Sequence, residues 1–303
     1  MIFPQQKIAL DDRAAETDDV PSANSSSLVA LRQTLTTAPV VAAITVLAIV
    51  VLIAILAPVL WTGDPVAIDP IARLKRESSE YWMGTDAFGR DVYSRVMYGA
   101  RISLLVGLGA SCASVALGLL IGIIAGYFRS LDSVIMRIMD GIMAIPSILL
   151  AIALVTVSGG SLATVIFAIT LPEVPRVVRL VRSVILSVRN EPYVEAAITL
   201  GTPLPALLAR HMAPNTVAPL IVQGTFIFAS AMLTEAAMSF LGVGLPPEIP
   251  SWGSIMADGR TYFQLRPGLI LYGGIMLALT VLSVNVLGDA LRDALDPRMA
   301  RKL

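Results

Sequence analysis

The chain has 303 residues, 56% hydrophobic and only 15% charged, with a mean hydropathy of +0.78. Its 22 basic and 22 acidic residues cancel, so no strong attraction to nucleic acid follows. One cysteine, Cys112, excludes an internal disulfide, and one histidine, His211, argues against a zinc enzyme, whose metal needs three or four ligands.

Residues 1–36 read as a polar, acidic N-terminal tail with no apolar core behind a basic start, so not as a signal peptide. Beyond it, charge is sharply partitioned. No charged residue falls between Arg32 and Asp64, Arg101 and Arg129, Asp140 and Glu173, Arg210 and Glu235, or Arg266 and Asp289. A helix needs about 20 apolar residues to cross hydrocarbon. Gly159 and Gly160 divide the third run with a turn. Six spans are predicted, roughly 39–60, 99–126, 136–157, 161–184, 215–240 and 268–290. The fourth carries Pro172, Glu173, Pro175 and Arg176. This pattern predicts an all-α polytopic membrane protein. Basic residues gather in the segments on the side of both termini, which predicts cytoplasmic N and C termini.

Several residues stand out along these spans. Cys112 sits in an apolar run and is expected to pack as a small hydrophobe. Ala110, Ser114, Gly118, Gly122 and Gly126 repeat every four residues, a face suited to close helix packing. Asp132, Arg137 and Asp140 are expected to pair locally. Arg176, Arg179 and Arg182 share a face expected to anchor at lipid headgroups. Glu235 lies inside the fifth span, where an ionised carboxylate is costly. A structural pair and a place in a transport path both remain open for it.

The stretch EPYVEAAITLGTPLPALLARHMAPN (191–215) is charged and proline-rich between apolar runs. Asn190 is expected to cap a first short helix, with Pro192 in its first turn and Gly201 ending it. Thr202 is expected to cap a second, with Pro203 at its start and Pro214 limiting its far end. Tyr193, Ala196, Ala197 and Leu200 form the predicted apolar stripe of the first, and Leu204, Leu207, Leu208 and either His211 or Met212 that of the second. Helices this short need something to pack on. The membrane surface, their own bundle and another protein all remain open. The three lysines, Lys7, Lys75 and Lys302, do not follow glycines, so no phosphate-binding loop is present.

Glu195-Ala196-Ala197, three residues and then Gly201 resemble the EAA loop of membrane subunits of bacterial ATP-binding cassette importers. Where that family's loop ends on a leucine and a proline, this chain has Ala213 and Pro214. Residues 83–107, 239–260 and 285–298 resemble the dipeptide, oligopeptide and nickel permeases, C-type subunit. The resemblance implies a type I importer fold over residues 37–303, with residues 190–214 as a cytoplasmic coupling loop. It implies a homologous B-type permease, ATPase subunits and an extracytoplasmic solute-binding protein as partners, in the inner membrane. ATP and magnesium would be used by the ATPase, with no cofactor bound here. Tyr193, Glu195, Ala196, Ala197, Gly201 and Pro214 would meet the ATPase, and loops 61–98 and 241–267 the binding protein. Peptides or nickel chelates are the implied solutes. An ion-coupled secondary transporter is the rival class, for which Glu235 is the one clear coupling group.

Overall fold

A computed structural model describes residues 36–60 and 62–295. The expected N-terminal tail lies outside them, apart from its last residue. Helix α1, Ala38–Leu56, runs into a 3-10 turn, Ala57–Val59. After a long loop come α2 (Val92–Tyr127), α3 (Arg129–Met143), α4 (Ser147–Ser158) and α5 (Leu162–Val188). The short α6 (Pro192–Thr199) and α7 (Leu204–Leu207) precede α8 (Val217–Phe240), α9 (Trp252–Arg260) and α10 (Gly268–Leu295). Among the described residues there is no strand.

Asp91 starts α2 by accepting the Ser94 backbone N–H at 2.9 Å. The helix therefore begins seven residues before the predicted span and extends 36 residues, about 54 Å at 1.5 Å per residue. Its small face lies on α5 as expected. A Cβ on Gly122 would come 2.6 Å from Val181 Cβ, and one on Gly126 2.7 Å from Ile185 Cβ. Only glycine lets the two backbones approach this closely. Cys112, however, is exposed on α2; it falls off the face that α5 covers.

The predicted third span is not continuous. Pro146 starts α4 and restrains the residue before it, so α3 and α4 meet at 85°. Among the described residues, four stretches are long and apolar enough to cross a membrane unaided: Ala38–Val59, Val92–Tyr127, Leu204–Phe240 and Gly268–Leu295. The bent pair and the charged α5 account for the other two predicted spans. Ser161 and Thr164 form a capping box at the start of α5. That helix then passes through Pro172 and Pro175 without ending.

Residues 252–260, expected as loop, form α9, which is wedged among α2, α8 and α10. Trp252 is fully buried there. Its backbone N–H donates to Ser103 Oγ at 3.1 Å and its indole N–H to the Val96 carbonyl at 3.0 Å. The first long loop is tied to the same place. Arg90 pairs with Asp86 at 2.6 Å and Asp258 at 2.7 Å, and Arg95 reaches Asp258 at 3.1 Å. Burial pushes the Asp258 carboxyl up from its ordinary range, against the pull of Arg95 and Arg90.

Gly122→Leu should separate α2 from α5. Overpacking of this kind costs about 1–3 kcal/mol, so the unfolding midpoint of the detergent-purified protein should fall by several degrees. Gly141→Ala, where a Cβ meets nothing within 4 Å, should leave it level or higher. An unchanged midpoint for Gly122→Leu would contradict the packing.

Candidate functional site

The short helices build one end of the bundle. Pro192 opens α6 with its fixed φ, while Glu191 occupies the cap position without a side-chain bond. Asn190 does not cap; its amide reaches back to the Leu186 carbonyl at 3.5 Å. Gly201 ends α6 at φ +76°. Its N–H donates to Ile198 O at 2.9 Å and the Thr202 N–H to Ala197 O at 3.1 Å, the two bonds of a Schellman stop. No Cβ clash surrounds Gly201; the positive φ alone favours glycine there.

The second helix is less regular than expected. Pro203, not Thr202, holds its cap position. One α turn passes into a π turn at Leu208–Met212 and a 3-10 turn at Ala213–Thr216. Pro214 sits in the first positions of that last turn and does not end the run, because the missing proline N–H is not needed there. The chain continues directly into α8. The His211 carbonyl accepts from the Tyr193 hydroxyl at 3.3 Å and from Asn215 Nδ2 at 2.9 Å; Asn215 also donates to Tyr193 Oη at 3.1 Å. Asn215, unmarked in the sequence, thus ties α6 to the π turn.

The apolar stripe of α6 is rotated from the predicted one. Val194 and Ala197 are buried against the apolar cluster that includes Val181, Ile185 and Val188 of α5, together with Leu207 and Met212. Tyr193, Glu195, Ala196 and Leu200 are exposed, Leu200 at 85%. Of the predicted stripe only Ala197 faces inward. The spacing of three between Val194 and Ala197 fits one turn against α5, and the Tyr193 hydroxyl is drawn sideways to the π turn. Among the expected site residues, the structure joins Tyr193 to the 211–215 segment and leaves Glu195, Ala196, Gly201 and Pro214 exposed.

The arginines of α5 meet acids rather than lying free for headgroups. Arg182 forms a two-bond pair with Asp132, at 2.5 and 2.6 Å, and Arg179 pairs with Asp140 at 2.6 Å. These carboxylates, expected to pair within their own helix, pin α3 to α5. Arg176 pairs with Glu173 at 3.1 Å. Arg189 donates to the Tyr127 carbonyl at 3.0 Å and lies over that ring.

Glu235 is 1% exposed. Its Oε1 accepts from Ser239 Oγ and Ser251 Oγ, both at 2.8 Å, which ties α8 to the start of α9. It lines neither of two adjoining cavities on another face of α8. Each cavity measures about 410 Å³, and they share Phe226. The first includes Gln223 and Arg292 among its walls, the second Ser230, Thr234 and Asn285.

Residues 118–301 match the family described as binding-protein-dependent transport system inner membrane component. The chain belongs to this family. The permease is 52% identical over 251 residues to a probable peptide ABC transporter permease of Sinorhizobium fredii, covering 83% of this chain and 86% of that one. It is 44% identical to the dipeptide transport system permease of Alkalihalophilus pseudofirmus, over 82% of each chain. It is 35% identical to the oligopeptide transport system permease of Bacillus subtilis, over 84% of each. It is therefore a multi-pass inner-membrane transport subunit of the C-type peptide permease group, not an enzyme.

The two faces of α6 should respond differently to the same change. Val194→Ser removes buried apolar contact, worth about 1.5–3 kcal/mol for a fully buried side chain of this class, and should lower the unfolding midpoint of the permease. Leu200→Ser should leave it within error. The reverse order of midpoints would contradict the burial pattern.

Proposed function

We propose that this permease is the transmembrane subunit of an ATP-driven importer of peptides or a related solute, and that residues 190–214 receive motion from a separate ATPase. A homologous B-type permease would complete the translocation path, and an extracytoplasmic binding protein would deliver solute to the loops at the opposite end. Both termini would be cytoplasmic. ATP and magnesium would stay with the ATPase. The peptide assignment draws on the relatives' names; a nickel chelate or another solute fits the same architecture.

The observation that carries the coupling role is the exposed, mostly apolar face of α6. Tyr193, Ala196 and Leu200 present apolar surface beside Glu195, while Val194 and Ala197 hold the same helix on α5. A short helix so anchored can transmit a push rather than absorb it. Glu235 is assigned to holding α9, because its two hydroxyl partners turn it away from the groove on α8.

Glu195→Lys reverses a charge on the exposed face, and Gly201→Val disallows the positive φ between the helices. Both variants should reach the membrane and pair with the partner permease. Both should lose most ATPase co-purification or substrate-stimulated ATP hydrolysis in proteoliposomes. Normal attachment with normal stimulated hydrolysis in both would refute the coupling role.

A further inference from the structure

Arg176 stands one residue past the middle of the 27-residue α5, and its side chain is 53% exposed. A half-exposed guanidinium within a membrane-spanning helix is costly against lipid tails, so such groups face water-lined paths or polar partners. Its setting is built. Arg176 Nη1 donates to both oxygens of Glu173, at 3.3 and 3.1 Å. Glu173 is itself 4% exposed. The Ser230 hydroxyl donates to Glu173 Oε1 at 3.4 Å, and Ser230 lines the second cavity on α8. The buried carboxylate is thus satisfied from two sides and aims the arginine. Both of these bonds come from Nη1, one nitrogen of a fork with five donors.

Resting on the importer reading above, we propose that Arg176, positioned by Glu173, is a station in the transit path that receives the carboxylate of the passing solute. Guanidinium and carboxylate are matched in shape and charge. Transporters built from homologous halves hold their solute at the interface between the halves. For a peptide the group received is the C-terminal carboxylate. Glu173 stays a positioning residue and does not touch the solute.

The test uses the assembled importer in proteoliposomes, with Cys112→Ser and a single reporter, Ala237→Cys, in the wall of the second cavity. Thr234→Cys, which lines the same cavity, serves as the second reporter. Each is treated with an anionic and a cationic methanethiosulfonate. The anionic reagent should react faster by about tenfold, given the scale of charge focusing in clefts. Arg176→Gln should remove the preference and Arg176→Lys should retain it. A dipeptide with a free carboxylate should slow the reaction, and its C-terminal amide should not. Two unreactive reporters, or a preference that survives Arg176→Gln, would overturn the station. So would equal protection by acid and amide, or protection by no carboxylate. Protection by citrate but not by the dipeptide would keep the station and reject the peptide reading.

Discussion

The close approach of α2 to α5 is the contact on which the other elements depend. Ala110, Ser114, Gly118, Gly122 and Gly126 give α2 a flat face, and Val177, Val181 and Ile185 of α5 fill it. Lipid gives no hydrophobic reason for two apolar helices to associate, so shape must supply the attraction. With α5 fixed, its remaining faces become sites for other pieces. Arg179 and Arg182 hold α3. The far end of α5 receives Val194, Ala197, Leu207 and Met212 of the short helices. Glu173 reaches α8 through Ser230. One helix therefore joins the short-helix end to the wall of the groove.

The opposite end is fixed by buried ion pairs as well as by apolar packing around Trp252. Arg90 and Arg95 draw Asp86 and Asp258 together, and Glu235 holds Ser251 at the start of α9. Buried charges without partners are strongly destabilising, whereas matched ones fix geometry. The loop before α2 and the helix before α10 are thus parts of one framework.

Much of this was legible in the sequence, and the losses have physical causes. Charge-free runs located α1, α2, α8 and α10 because hydrocarbon length imposes a minimum on each. Gly201 was legible because a positive φ between two helical patterns leaves few other residues. The bend at Pro146 was not, since hydropathy counts residues and ignores axis direction. The face of α6 was misread because its sequence offers apolar residues on two sides, and only the position of α5 chooses between them. Asp132 with Arg182 and Asp140 with Arg179 lie 50 and 39 residues apart, so local spacing pointed to the wrong partners. The α8 groove left no single motif; its polar walls come from α8 and α10.

The central claim is that the exposed side of α6 is the surface an ATPase occupies. A photo-crosslinking amino acid placed at Leu200 in the assembled complex tests it most directly, with the same group at Leu120, 62% exposed on α2, as the comparison. The account predicts an ATPase adduct from position 200 and none from position 120. No ATPase adduct from position 200, or equal adducts from both, would contradict it.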